Sequence, residues 1–72
     1  EAFVGQYSVT ASLLNCRYKP GALTESNVKF KIKNGSVVTC HGYYTNVGMS
    51  TWLLIEYDGQ TGYVSKNYLG KQ

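Results

Sequence analysis

A chain of 72 residues has room for one domain and a small core, and domains below about 80 residues draw only about 3–5 kcal/mol net from burial and often need a staple. Hydrophobic residues make up 43% and charged residues 15%; no apolar run approaches the roughly 20 residues of a membrane helix, and the abundance of aromatic and β-branched residues excludes disorder. The net charge of +3 suits an anionic partner without demanding one, and so small a chain cannot hold a catalytic constellation with its supporting shell, which favours a binding module over an enzyme.

No segment carries a clean 3.6-residue period, whereas short runs of β-branched and aromatic residues recur between glycine- and asparagine-containing turns. Residues 5–11 (GQYSVTA) predict a first strand with Tyr7, Val9 and Ala11 on one face. Residues 14–18 (LNCRY) alternate, Leu14 and Cys16 pointing inward and Asn15 and Arg17 outward. Lys19-Pro20-Gly21 ends that strand, and residues 22–27 predict a polar loop. Residues 28–32 (VKFKI) place Val28, Phe30 and Ile32 on one face and Lys29 and Lys31 on the other, with Lys33 continuing the lysine row. Asn34-Gly35 is a turn whose pair supplies the positive φ of a hairpin, and residues 36–42 return as a strand with Val38 and Cys40 in phase. Residues 43–51 (YYTNVGMST) are expected to form a loop opened by two tyrosines. Residues 52–57 form the most hydrophobic strand, Asp58-Gly59 a second hairpin turn, residues 60–65 the returning strand, and Lys66-Asn67-Tyr68 one tight turn of 3₁₀ helix, with Leu69 packing last. The expected fold class is therefore all-β: a small barrel of five to seven short strands with a terminal 3₁₀ turn.

Two side-chain types stand out. Seven tyrosines accompany Trp52, Phe3 and Phe30; a tyrosine pairs a rigid apolar face with a polar tip, which serves an interface and a half-buried barrel wall equally well. Tyr7, Tyr57 and Tyr63 are given to packing first, with contact to a ligand left open as the alternative. The two cysteines, Cys16 and Cys40, fit one disulfide and a secreted context; such a bridge would enclose 23 intervening residues and add about 3 kcal/mol on a chain-entropy model. The alternative is two unpaired buried thiols acting as small hydrophobes. With one histidine in the chain, a four-ligand zinc site is excluded, and no cofactor is expected.

The ordered stretches L-N-C-R-Y-K-P, K-I-K-N-G and W-L-L-I-E-Y-D-G-Q-T-G-Y-V-S-K-N-Y-L resemble the bacterial-type SH3 domain family (SH3b) over about residues 7–69. Cys16 stands where that pattern has valine, and Cys40 takes an inward apolar position, a paired departure that favours the bridge. The resemblance implies a small SH3-like barrel that binds bacterial cell-wall peptidoglycan without catalysis. It further implies a module of a larger secreted protein, monomeric and covalently linked to a peptidoglycan hydrolase such as a lysozyme, amidase or endopeptidase. If the early loop and the terminal turn meet as they do in the family, Tyr18, Tyr43, Tyr44, Trp52 and Tyr68 line one cleft. Asn15 and Arg17 then sit at its edge as donors to peptide carbonyls or carboxylates.

Other functions fare less well. Cys40 and His41 are strand neighbours and point to opposite faces, so they cannot act as a nucleophile pair. Glu56 and Asp58 lack the arrangement of a glycosidase dyad, since Asp58 is needed in its turn. The lysines at 29, 31 and 33 have no interleaved aromatic for stacking bases, which argues against single-stranded nucleic acid. The end G-Y-V-S-K-N-Y-L also resembles a signalling SH3 domain that binds proline-rich peptides. The early loop, however, carries two cations and one acid, and Ser65 replaces the expected proline.

Overall fold

Period-two alternation becomes strand wherever a turn residue bounds it. In a computed structural model describing residues 2–21 and 23–72, the strands are β1 (Gly5–Val9), β2 (Leu13–Arg17), β3 (Val28–Lys33), β4 (Val37–Val47), β5 (Ser50–Tyr57), β6 (Gln60–Ser65) and β7 (Leu69–Lys71). Single 3₁₀ turns span Glu25–Asn27 and Lys66–Tyr68. Glu1 and Ala22, the latter the first residue of the expected polar loop, lie outside the described residues. The strands form one antiparallel sheet in the order β3-β2-β6-β5-β4-β1-β7. Among the described residues no pairing joins β3 to β7, so the sheet is open where a barrel was expected. It still curls: a single sheet can bury one face only by folding over itself. Tyr7 and Val9 of β1, Leu14 and Cys16 of β2, Ile32 of β3, Val38 and Cys40 of β4, Leu53 and Ile55 of β5 and Val64 of β6 all meet in one buried cluster.

Three turns show what the local sequence does. Asp58 (φ 53°) and Gly59 (φ 79°) both adopt positive φ beneath the Tyr57↔Gln60 pair, the two-residue hairpin of type I′ that Asp-Gly favours. Asn34-Gly35 behaves differently. Only Gly35 is positive, at 84°, and β3 and β4 are not neighbours in the sheet; the turn passes the chain from one region of the sheet to another and is not a hairpin. The expected loop over residues 43–51 is strand instead. β4 runs on to Val47 and turns at Gly48-Met49 into β5. The register slips between Cys40 and Tyr44, where Gly42 takes a φ of 107°. Gly42 is thus part of a bulge, which bends a strand without ending it.

The expected disulfide is absent: Cys16 and Cys40 are free, buried thiols. β6 and β5 lie between their strands in the sheet, and the two sulfurs engage different neighbours. Cys16 Sγ packs against Gly62 of β6. Cys40 Sγ donates to the Tyr43 carbonyl at 3.9 Å and accepts from the Gly42 N–H at 3.5 Å. Both cysteines act as small core hydrophobes, as buried free cysteines commonly do. Burial pushes the Cys16 thiol up to about 11, against a partial lowering by Lys29 and the Arg17 backbone, and raises the Tyr7 phenol in the same sense. The neutral thiol is therefore favoured by folding. Its contribution is complete below the ordinary thiol value of 9 and is lost as pH climbs to about 11. Urea midpoints measured across pH 8–11 should be level at first and then fall; a midpoint that rises over this range would contradict the assignment. Thiol labelling should be slow in the native state and should reach both cysteines once the chain is unfolded, because both are buried in the fold.

Candidate functional site

β2 begins the site. Leu13, Asn15 and Arg17 follow each other at spacing two on the face away from the core. β2 pairs with β6 through Arg17↔Tyr63, and β6 pairs with β5 so that Trp52 lies opposite Ser65. That pairing carries Trp52 and Ser65 to the face of β2. The chain then enters the Lys66–Tyr68 turn, capped where the Ser65 hydroxyl accepts from the Asn67 N–H at 3.4 Å. Tyr68 is held against the connection between β1 and β2, because its carbonyl accepts from the Thr10 N–H at 2.9 Å.

The fourth wall comes from the loop after β2. The Arg17 guanidinium donates to the Thr24 carbonyl at 3.0 Å. The Asn27 side chain donates to the Lys19 carbonyl at 3.0 Å and accepts from the Lys19 N–H at 3.2 Å, while the Tyr18 N–H donates to the Asn27 carbonyl at 2.9 Å. These bonds pin the loop and present Leu23, which is 72% exposed, at the rim. The result is an open groove of about 410 Å³, within the size range of small-ligand sites. Trp52 and Arg17, 6% and 9% exposed, sit at its base, and Tyr68, half exposed, stands on its edge with Leu13 and Leu23. Asn15, Asn67, Ser50 and Ser65 supply the polar lining. Among the described residues, Arg17 is the charged lining residue and no carboxylate lines the groove. An aromatic surface for apolar contact, amides and hydroxyls for carbonyl and N–H groups, and one cation for an acidic group can hold a polar, extended ligand. They offer no nucleophile with a base beside it.

Asn15, Arg17, Trp52 and Tyr68 are thus brought together, and the other three aromatics expected in the cleft are not. Tyr18 faces solvent beside Lys29, whose Nζ lies 5.7 Å from its ring centroid. Tyr43 is exposed on β4, and Tyr44 stacks edge-on against Phe3, with centroids 4.9 Å apart at 70°. Both belong to the β4–β5 hairpin because the expected loop is strand. Several groove residues were not expected. Leu13 and Asn67 could have been found, Leu13 by its phase with Asn15 and Arg17 and Asn67 by its place in the capped turn. Leu23 had no local signal, since the loop that carries it is held by the tertiary bonds of Arg17 and Asn27. Cys40 is buried and His41 is exposed and bonded to Glu56 at 3.1 Å, so the two side chains diverge as their adjacency required.

A family model described as the bacterial SH3 domain matches residues 12–70. No curated protein and no solved structure matches the chain.

Proposed function

The chain belongs to the bacterial SH3 domain family, and from that premise we propose that it is a non-catalytic module that binds bacterial cell-wall peptidoglycan in the groove between β2 and the Lys66–Tyr68 turn. The groove is the observation that carries this reading: Trp52, Tyr68, Asn15 and Arg17, distant in sequence, converge on one open surface of mixed apolar and hydrogen-bonding character. In the same proposal the module works in a secreted protein and holds an attached hydrolase on its substrate. Tethering raises the local substrate concentration to the order of mM without adding a catalytic contact.

Sedimentation with purified, insoluble peptidoglycan tests the reading. The protein should pellet with the wall material and stay in solution without it. A protein that remains in the supernatant while a known wall binder sediments would overturn the proposal. Lys29→Ala should leave the pelleted fraction unchanged, because Lys29 is spent on the Thr61 carbonyl at 2.7 Å and on the Tyr18 ring, outside the groove.

A further inference from the structure

The turn between β3 and β4 contains the sequence Asn34-Gly35, and its side chain does more than shape the turn. Asn34 Nδ2 lies within hydrogen-bonding distance of three successive carbonyls running from the end of β1 into the β1–β2 connection, Val9 at 3.3 Å, Thr10 at 3.1 Å and Ala11 at 3.0 Å, which share its two N–H groups. Three acceptors around one atom identify it as the amide nitrogen, since the amide oxygen has nothing to donate. The backbone takes part as well. The Gly35 N–H donates to the Val9 carbonyl at 2.8 Å and the Asn34 N–H to the Ser12 carbonyl at 3.2 Å.

An asparagine followed by glycine has its own chemistry. The backbone nitrogen of the glycine loses its proton and attacks Cγ of the asparagine. A C–N bond forms, the Cγ–Nδ2 bond breaks, and ammonia leaves, giving a five-membered succinimide. Water then opens the ring at either carbonyl, leaving an aspartate or an isoaspartate with no change in oxidation state. Glycine permits this because it has no side chain to hinder the approach. Here the attacking nitrogen and the leaving group are both held: the Gly35 nitrogen points its proton at the Val9 carbonyl, and Nδ2 is anchored on carbonyls of the neighbouring segment.

We propose that Asn34 is a deamidation site that the fold keeps closed, and that the reaction, once it occurs in an opened chain, prevents the turn from closing again. The product carboxylate cannot donate a hydrogen bond. It would also face the partial negative charge of three carbonyl oxygens, so the deamidated turn is repelled from the segment the amide had held. That segment supplies Ala11 to the groove, leads into Leu13 of β2 on the groove wall and is tied to Tyr68 through Thr10. Deamidation therefore retires the binding surface of any molecule that has once opened at this turn. This last consequence rests on the groove being the cell-wall site; the protection and the one-way step do not.

Two arms test the proposal. The folded protein and the protein held in urea are incubated at the same mildly alkaline pH, and a mass gain of about 1 Da is located by peptide mapping. Modification at Asn34 should be at least about tenfold slower in the folded protein, because it must wait for local opening. Equal rates would overturn the proposal. In the second arm, thermal midpoints of Asn34→Ala and Asn34→Asp are compared across pH. Both variants lose the three bonds, but only Asn34→Asp adds repulsion, so its midpoint should lie below that of Asn34→Ala at neutral pH. Folding disfavours the ionised carboxylate, so the gap should be present above the carboxylate range and close as pH falls through it. An Asn34→Asp midpoint equal to or above that of Asn34→Ala at neutral pH would overturn it. If Asn34→Asp does not fold at neutral pH, refolding it on acidification supports the proposal, and failure to refold there while Asn34→Ala folds opposes it. Sedimentation of the urea-deamidated, refolded protein with peptidoglycan then tests the binding consequence alone: loss of pelleting relative to the unmodified, identically refolded protein supports it, and retained pelleting removes it.

Discussion

Gly62→Ala should cost roughly 2–4 kcal/mol of stability, at or above the usual range for forcing one extra carbon into a packed core. A Cβ built on Gly62 would lie 2.4 Å from Cys16 Sγ and 3.1 Å from the Arg17 carbonyl. The sulfur is wholly buried and the carbonyl is main chain, so neither can retreat cheaply. For a domain of this size the total is on the order of 5 kcal/mol, and the variant should be partly unfolded at 37 °C. Gly59→Ala is the control. Gly59 has a φ of 79° but open space around it, so alanine there should cost only about 1 kcal/mol of backbone strain. Urea midpoints separate the two. Cys16→Ala placed on top of Gly62→Ala should recover part of the loss, because the closest clash is with the sulfur and contacting sites couple. A Gly62→Ala midpoint matching the parent protein would mean that β2 and β6 are not packed as closely as described.

Tyr68→Ala should cut affinity for insoluble peptidoglycan by about tenfold or more while leaving the urea midpoint within about 0.5 kcal/mol of the parent. Tyr68 combines a ring on the rim of the groove with 50% exposure, so it can carry contact with a ligand without carrying the fold. Trp52→Ala would be harder to interpret: the indole is buried at the groove floor, and its removal should damage stability and binding together. Tyr43→Ala is the matched comparison, an exposed tyrosine of the same chemistry outside the groove, and should change neither. Equal losses for Tyr43→Ala and Tyr68→Ala would move the binding surface onto the β4–β5 hairpin.

The parts of the fold legible in the sequence are those in which local chemistry and tertiary packing agree. β6 and the Lys66–Tyr68 turn follow directly from alternation that starts at an Asp-Gly hairpin and ends at a serine cap. The inward phase of Leu14, Cys16, Val38, Cys40 and Val64 is likewise visible, because one buried face of a strand has a period of two. The misreadings share a cause. Gly42 and Gly48 lie six residues apart, one a bulge and the other a turn, and both look like strand breakers in isolation. A strand ending at Gly42 would leave residues 43–51 a loop and bring Tyr43 and Tyr44 toward the groove, whereas the bulge keeps both on the β4–β5 hairpin. The cysteines were misplaced for a related reason: inward phase says that two residues enter the same core, not that they meet within it. In the candidate groove, Tyr68 could be expected because it closes the terminal turn, and Trp52 because it opens the hydrophobic run of its strand, which in the fold begins two residues earlier at Ser50. Arg17 was expected at an exposed edge, yet it is buried and bonded to the Thr24 carbonyl, and that role depends on a loop whose path no local pattern encodes.

The groove itself is tested most directly by amide and indole NMR shifts as soluble fragments from a peptidoglycan digest are titrated into the protein. The shifts should concentrate on Asn15, Arg17, the Trp52 indole, Asn67 and Tyr68, with the amides of Tyr43, Tyr44 and Met49 unmoved. Shifts gathered on the β4–β5 hairpin, or no shifts at all under conditions where the intact wall is bound, would contradict a binding groove between β2 and the Lys66–Tyr68 turn.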